Sequence, residues 1–346
     1  MTGDYKFRFM PGILSLIFTA VLLSGCIAEN TDDCFKGVSL QVKLPADVSG
    51  ETMKDINLYV FDDKDLLLDI LPISSSEFVV LDYPGIPVLH CITWCNTGDG
   101  AVSAGSLKKG DPLSAGFISL KPSAATRAQM SLFNPPADLF YGELILENTS
   151  TSNHMEEQEL SVSRMVASMN ITIRGLELLG ESNRGVYSLV VHETASRLDF
   201  EGRYGGDPAS YAFTPSFEVG KDCTMPTFNL FPVMGSGGII IDIYHDGKLL
   251  RSVSTDSGNR PLVPVVGKTL NVLLNFKLDV DVQVEITGWG KKYIWKEYNF
   301  PDIFLSPTGY LYLHIDIEHE VQQHVQGFTH YGNKMAITAI RTNASQ

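Results

Sequence analysis

Short runs in which apolar and polar residues alternate recur along most of this chain, and they constrain its fold more than any other feature. Residues 38–44, 56–61 and 280–286 each follow this period of two, mostly with aliphatic residues at the apolar positions. Such alternation is typical of a β-strand with one buried face. An Asp-Gly pair between the apolar runs 239–244 and 248–253 adds a hairpin signal, because Gly takes a positive φ without steric cost.

The order of these runs predicts the fold class and its division. Many short strands in blocks of this size favour an all-β chain with two tandem antiparallel β-sandwiches. A polar stretch at 147–159 lacks apolar periodicity, so we expect an N-terminal sandwich over 38–155 and a C-terminal one over 156–300, with an extension over 301–346. Short helices are expected to cover the ends of the sandwiches, for example near 136–140.

The first 26 residues predict export and lipidation. Lys6 and Arg8 precede an uncharged apolar run at 10–23, which ends in Leu-Ser-Gly followed by Cys26. A basic flank, a short apolar core and small residues at the cleavage point are typical of a secretory signal peptide, here residues 1–25. Because the final residues match a bacterial lipobox, we expect cleavage before Cys26 and lipid on its sulfur and new amino group. The alternative is an ordinary secreted protein with a chance cysteine.

The residues after Cys26 predict an acidic tether to a membrane. Residues 26–37 have little to pack and include Glu29, Asp32 and Asp33. A lipoprotein cysteine carries several acyl chains, and more than one chain makes anchoring stable. The formal net charge of the whole chain is −14, and it becomes −15 once residues 1–25 are removed. With no basic stripe to neutralise phosphates, no nucleic-acid partner is expected.

Four cysteines remain after Cys26, and an exported chain can form disulfides from them. Cys91 and Cys95 would share one face of a strand about 13 Å apart, which is too far for a bond between them. Cys34 can reach one of them if the first strand runs alongside, and Cys95 is the preferred partner. The alternative is that all four cysteines are reduced and partly buried.

No catalytic, cofactor or metal site is predicted. The chain has neither a Gly-x-Ser-x-Gly elbow nor a Gly-x-x-x-x-Gly-Lys phosphate loop. In the tail, His314, Asp316 and Glu318 would share one strand face and could hold a metal, but a solvated surface is the preferred interpretation.

One arginine and two tryptophans are expected to have structural roles. Arg164 lies in an otherwise apolar strand, where an arginine usually pairs with a carboxylate; contact with a partner is the alternative. Trp94 and Trp289 are expected to be core or rim aromatics.

Several motifs, taken in order, carry a resemblance that covers roughly residues 20–290. They are the lipobox with its acidic tether and Asp33-Cys34, the strand Ile56–Phe61 with its turn, Ile-Thr-Trp-Cys-Asn at 92–96, Asp-Leu-Phe-Tyr-Gly at 138–142, and the stretch 160–176 around Arg164. Their order and spacing resemble the FimB-type fimbrial anchor and minor-subunit lipoproteins of type V pili.

This resemblance implies two transthyretin-like sandwiches on the outer membrane at the base of a fimbrium. It also implies that the partners are subunits of the same pilus and that assembly occurs by strand exchange, which is a form of β-augmentation. Shaft subunits typically lose an N-terminal strand by cleavage after a basic residue. No Arg lies between Cys26 and Val38, which favours an uncleaved anchor. The alternative function is a surface lipoprotein that binds a host ligand, either a glycan or a peptide.

The tail departs from the family pattern, which would end near Trp289. The chain continues for 57 residues, and a clean alternation appears within them. Its members are Tyr310, Leu311, Leu313, Ile315 and Ile317. Our hypothesis is that residues 310–318 pair with a neighbouring subunit. The alternative is that they form the last strand of their own domain.

Overall fold

Strands dominate the structure, and most of their pairings are antiparallel, which confirms the predicted all-β class. The chain divides into two compact units, residues 1–294 and 295–346. In the described residues, no helix has the length and apolar character needed to cross a membrane. The computed structural model describes residues 37–124, 131–148, 155–178, 185–215, 218, 221–276, 281–295, 304–305 and 311–312.

The N-terminal half of the first unit forms a sandwich of two sheets. One sheet has the order β4-β1-β9 and the other β10-β8-β5-β2-β3. Their facing sides enclose a core that includes Leu40, Leu58 and Leu89. The strands of this half are β1 Val38–Lys43, β2 Ile56–Phe61, β3 Leu67–Ile73, β4 Val79–Leu81, β5 Val88–Cys95, β6 Val102–Ala104, β7 Phe117–Leu120, β8 Phe140–Glu147, β9 Glu156–Ser161 and β10 Ser163–Arg164.

The C-terminal half of the first unit repeats this plan. One sheet has the order β16-β11-β20-β21, with β17 also paired to β11, and the other has the order β15-β12-β18-β19. The predicted hairpin around Asp246-Gly247 joins β18 to β19. The strands of this half are β11 Ala167–Arg174, β12 Tyr187–Thr194, β13 Arg197–Asp199, β14 Tyr204–Gly205, β15 Ala209–Phe213, β16 Cys223–Thr224, β17 Phe228–Leu230, β18 Ile240–His245, β19 Lys248–Val253, β20 Lys268–Asn275 and β21 Asp281–Gly288.

A fifth sheet, of order β14-β13-β7-β6, takes two strands from each half. Phe200, which follows β13, packs its ring against Tyr59 at 4.7 Å and against Trp94 at 6.1 Å. One continuous hydrophobic core therefore runs through both halves. Burial of a side chain such as Phe200 contributes about 1.5–3 kcal/mol, so the two halves stabilise each other.

Among the strands of the described residues, two pairings are parallel, and one of them joins β9 to the N-terminal half. β1 pairs with β9 in parallel over six residues, and β11 pairs with β20 in parallel over seven. Because β9 and β10 are hydrogen-bonded to β1 and β8, the N-terminal sandwich extends to Arg164 rather than ending at the expected residue 155. The polar stretch 147–159 that suggested a boundary runs from the last residue of β8 into β9.

The expected helix near 136–140 is wrong. Residues 136–139 form no helix, and β8 begins at Phe140. Side chains hold this stretch open: Asn96 Nδ2 donates to the Asp138 carbonyl at 2.8 Å, and Asn229 Nδ2 donates to the Pro136 carbonyl at 3.2 Å. The described 3₁₀ turns lie at Gly50–Thr52, Leu113–Ala115 and Leu176–Leu178.

The second unit contributes one short hairpin to the described residues. Its strands are β22 Phe304–Leu305 and β23 Leu311–Tyr312, paired antiparallel with Leu305 opposite Leu311.

Candidate functional site

Most residues of the predicted lipidation and strand-exchange sites lie outside the described part of the chain. Leu311 is described, as the first residue of β23. The roles assigned to this set stay predictions: lipidation at Cys26, a disulfide at Cys34, and strand exchange at Tyr310, Leu313, Ile315 and Ile317.

Cys95, the preferred partner of Cys34, is a fully buried thiol at the end of β5. Burial raises its pKa to about 12, with the nearby Asp55 charge adding to the effect. Cys91 is also fully buried, and burial raises its pKa to about 12. Both thiols are therefore almost entirely protonated at neutral pH and face the core of the N-terminal sandwich.

The direction of β1 bears on the predicted disulfide. Val38, at the start of β1, pairs with Leu81, whereas the far end of β1 leads to Asp47, beside Arg164 and the Cys95 end of β5. The eight residues of β5 span about 23 Å. Four residues of chain before Val38 reach at most about 14 Å. The Cys34–Cys95 disulfide stays a prediction, and Cys91 lies nearer to the start of β1.

Arg164 is the centre of a charged and aromatic cluster that joins the two halves. Its Nε lies 3.0 Å from both carboxylate oxygens of Asp138, and its Nη1 lies 2.6 Å from Asp47 Oδ2. Its guanidinium stands over the Trp289 ring at 4.5 Å and the Phe140 ring at 5.1 Å. Asp47, Asp138 and Phe140 come from the N-terminal half, whereas Trp289 follows β21, the last strand of the C-terminal half.

The ion pairs of Arg164 with Asp47 and Asp138 confirm the expected pairing with a carboxylate. The Arg164 side chain is 9% exposed, against 26% for Asp138 and 57% for Asp47. Burial raises the pKa of Asp138 above its usual value, and the hydrogen bond and charge of Arg164 offset part of that rise. For Asp47, which is exposed, the hydrogen bond from Arg164 is the main cause of a lowered pKa. The buried positive charge of Arg164 is tolerated because the carboxylates of Asp47 and Asp138 both form ion pairs with it.

Gly142 explains why β9 and β10 can lie so close to β8. A Cβ atom on Gly142 would stand 2.7 Å from the Ser161 carbonyl oxygen and would also collide with Leu160. Any larger residue would push this crossing away and move Arg164 from its partners. The glycine in the Asp-Leu-Phe-Tyr-Gly motif is thus needed for close backbone approach.

The two tryptophans lie where the sequence predicted them. Trp94 is fully buried, and Trp289 is partly buried and packs against the main core. Asp47 and Asp138 were not predicted from the sequence as the partners of Arg164. Asp138 belongs to the Asp-Leu-Phe-Tyr-Gly motif, which was a usable signal, but nothing in the sequence singles out Asp47.

A second feature of the C-terminal sandwich is its edge strand, β21. The eight residues of β21 pair with β20 on one side only. At the start of β21, Val282 exchanges hydrogen bonds with Ser257, which lies on the side away from β20. Main-chain groups alternate in direction along an antiparallel strand, so those of Val284 and Ile286 also point outward. In the described residues, no strand pairs with this outer edge.

A polar cleft of about 350 Å³ lies beside this edge, between the end of β19 and the start of β21. Its lining includes Arg251, Ser254, Asp256, Asn259 and Val282. Ile286 is 49% exposed on β21, and Leu249 is 48% exposed on β19. In the described residues, the outer edge of β21 therefore offers unpaired main-chain groups on a strand with one exposed apolar side chain, Ile286.

The described residues contain no group of three or more His, Cys, Asp or Glu side chains arranged to hold a metal ion. His314, Asp316 and Glu318 lie outside that part of the chain.

Comparisons with known proteins agree on one family. The family model of fimbrillin-A associated anchor proteins Mfa1 and Mfa2 matches residues 31–295. The major fimbrium anchoring subunit FimB of Porphyromonas gingivalis strain W83 is 24% identical over 309 residues, which cover 84% of this chain and 98% of that protein.

Solved structures show the same fold. The fimbrial anchor protein Mfa2 from Porphyromonas gingivalis matches with a TM-score of 0.52 at 14% identity, over 73% of this chain and 98% of that one. A Bacteroides thetaiotaomicron structure matches with a TM-score of 0.53 at 16% identity, over 73% of this chain and 96% of that one. Because the family model spans most of the sequence, this chain belongs to the family of fimbrillin-A associated anchor proteins Mfa1 and Mfa2.

Proposed function

We propose that this protein anchors a fimbrium to the outer membrane as a lipoprotein, and that it binds other fimbrial subunits by β-strand exchange. The family match over residues 31–295 carries the proposal, together with a FimB relative that this chain covers to 98% of its length. The role is structural rather than enzymatic. Its two parts, the lipid anchor and the strand exchange, depend on different residues and are tested separately.

The lipid anchor is supported by the lipobox and by the position of β1. Cys26 follows Leu-Ser-Gly, and only eleven residues separate it from Val38. An extended segment of that length reaches at most about 40 Å. The folded unit would thus stay close to the membrane surface while its C-terminal half points toward the fimbrium.

The strand-exchange part is supported by the open edge of β21. Main-chain groups of Val284 and Ile286 can pair with an extended strand from another subunit, which would place its apolar side chains next to those of β21. An exposed edge of this length is an aggregation hazard unless it is short-lived or covered by a partner. The tail segment 310–318 is a second exchange element, since its alternation suits a strand that enters a neighbouring sheet.

The lipid anchor is tested by Cys26→Ala in the native host, with Cys34→Ser as the matched control in the same tether. We expect Cys26→Ala to release the protein from the membrane and to shed long fimbriae into the medium, whereas Cys34→Ser retains both. Release of the protein with no change in fimbriae would instead favour the alternative, a surface lipoprotein that binds glycans or peptides.

The outer edge of β21 as the acceptor of a foreign strand is tested by Ile286→Pro. Gln283→Pro is the control in the same strand, because it affects the side that faces β20. Proline removes an outward N–H at Ile286, which leaves the pairing with β20 intact, but at Gln283 it removes an N–H that β20 uses. We expect Ile286→Pro to fold and to lose binding of fimbrial subunits, whereas Gln283→Pro is destabilised. Unchanged subunit binding by folded Ile286→Pro would exclude this edge as the acceptor.

The tail is tested by deleting residues 305–346. A folded protein that no longer tethers fimbriae is the expected result if the tail is a donor strand. An unfolded deletion protein would mean that the tail completes its own domain.

A further inference from the structure

We propose that β1 and β9 form a mechanical clamp that resists extraction of the N-terminal strand when the fimbrium is pulled. This inference rests on the proposed function, because it takes the membrane tether to precede β1 and the load to enter through the C-terminal half. The element that bears the load is the parallel pair of β1 and β9.

The two ends of β1 face opposite ends of the N-terminal sandwich. At the start of β1, Val38 pairs with Leu81, and Asn148 beyond the end of β8 donates to the carbonyls of Tyr83 and Ile86 in the next turn. The other end of β1 leads to Asp47, which binds Arg164 at 2.6 Å. A tether attached before Val38 therefore pulls from the end opposite Arg164.

The chain leaves the N-terminal sandwich at the Arg164 end. β9 runs parallel to β1 and continues through Val162 and β10 into β11 of the C-terminal half. The Val162 N–H donates to the Lys43 carbonyl at 3.1 Å, which closes the pair where β9 ends. Load from the fimbrium reaches β9 at its C-terminal end, while the tether loads β1 at its N-terminal end.

Opposed forces on the opposite ends of two parallel strands act along the strands. In this shear geometry, all six residue pairs between β1 and β9 are loaded together, and the strands separate only when the bonds fail as a group. If the strands were pulled apart from one end, the bonds would break one after another. The unfolding rate governs resistance to forced unfolding, so the direction of load matters as much as stability.

Side chains strengthen the same pair. Val38, Leu40 and Val42 are at most 2% exposed, and they pack into the core between the two sheets. Lys43 at the end of β1 pairs with Glu159 of β9 at 2.6 Å. Sliding β1 toward the tether would break this ion pair, withdraw three apolar side chains from the core and pull Asp47 from Arg164. Each loss opposes the same movement.

Single-molecule force spectroscopy on the full mature chain tests the clamp. An Ala46→Cys, Cys26→Ser, Cys34→Ser variant serves two pulling geometries, because Ala46 is exposed just after β1, whereas Cys91, Cys95 and Cys223 are buried. One handle is always at the C-terminus. The other is at the N-terminus, which loads β1 in shear against β9, or at position 46, which bypasses the β1–β9 pair.

We expect a clearly higher unfolding force with the N-terminal handle than with the handle at position 46. Glu159→Gln should lower the force by a smaller amount, and only with the N-terminal handle. Equal forces in the two geometries, or release of β1 at low force before the rest unfolds, would overturn the clamp. Such a result would leave the anchoring role intact, since retention of fimbriae on cells is measured separately with Cys26→Ala.

Discussion

Replacing Arg164 with methionine should clearly destabilise the protein, because the Arg164 side chain is only 9% exposed and pairs with two carboxylates. Methionine keeps much of the length and apolar bulk of arginine but removes the five N–H donors and the charge. Asp138, whose carboxylate is 26% exposed, would then be left without its cation. The aromatic faces of Trp289 and Phe140 would lose a guanidinium at 4.5 and 5.1 Å.

The size of the effect follows from these environments. Breaking a buried pair by removing one partner costs about 3–5 kcal/mol, but partial exposure of Asp138 reduces this figure. The bond to the exposed Asp47 adds little, and the stacking on Trp289 adds about 0.5–2 kcal/mol. We therefore expect Arg164→Met to lower the free energy of unfolding by roughly 3 kcal/mol, which corresponds to a factor of more than a hundred in the unfolding equilibrium.

Urea unfolding of the soluble mature chain measures this change, and a double-mutant cycle with Asp138→Ala isolates the pair. Arg164→Met and Asp138→Ala together should cost less than the sum of the single changes, by about 2 kcal/mol. Arg203→Met is the matched control, because Arg203 is 68% exposed and pairs with Asp199 at 2.8 Å. It should change stability by less than about 0.5 kcal/mol. A small effect of Arg164→Met, or strict additivity with Asp138→Ala, would refute the reasoning.

Three further predictions concern neighbouring features. Gly142→Ala should cost about 1–3 kcal/mol by forcing β8 from the β9–β10 crossing, whereas Gly205→Ala, with open space around it, should be nearly neutral in thermal unfolding. In a carboxyl NMR titration, Asp138 should titrate above the usual value near 3.8 and Asp256 below it, because burial acts on the first and hydrogen bonds from Arg260 act on the second. Asp138 therefore contributes stability that is lost as pH rises through its raised pKa, and Asp256 contributes stability that is lost as pH falls through its lowered pKa; opposite shifts would contradict both. Cys95 should resist alkylation in the native protein and react only after unfolding, since its pKa is raised to about 12; rapid native labelling would show an open core.

Strands with one buried face could be predicted from the sequence because their side chains alternate. β1, β2 and β21 lie where residues 38–44, 56–61 and 280–286 predicted them. β20 could not be predicted from alternation, because its residues 270, 272, 273 and 274 are all apolar and are at most 2% exposed. A strand buried on both faces has no reason to alternate.

Alternation did not reveal which polar faces are solvated. In β11 the apolar residues alternate with Ser168, Asn170, Thr172 and Arg174, a pattern that suggests one wet face. All four polar residues are at most 6% exposed, and Asn170 Nδ2 donates to Asn271 Oδ1 of β20 at 3.0 Å. Hydrogen bonds between neighbouring strands make this burial tolerable, and the sequence of β11 alone does not contain those partners.

The sequence by itself determined the all-β class, the hairpin at Asp246-Gly247, the expected pairing of Arg164 with a carboxylate and the family resemblance, because each follows from local patterns and from their order along the chain. The tertiary structure alone decided that β9 belongs with β1, that Asp47 and Asp138 are the carboxylates that Arg164 meets, and that no other strand of the described residues pairs with the outer edge of β21. These features join residues far apart in sequence, such as Lys43 and Glu159 at a separation of 116. Many alternative pairings satisfy the same local patterns, and only packing of the whole core selects among them.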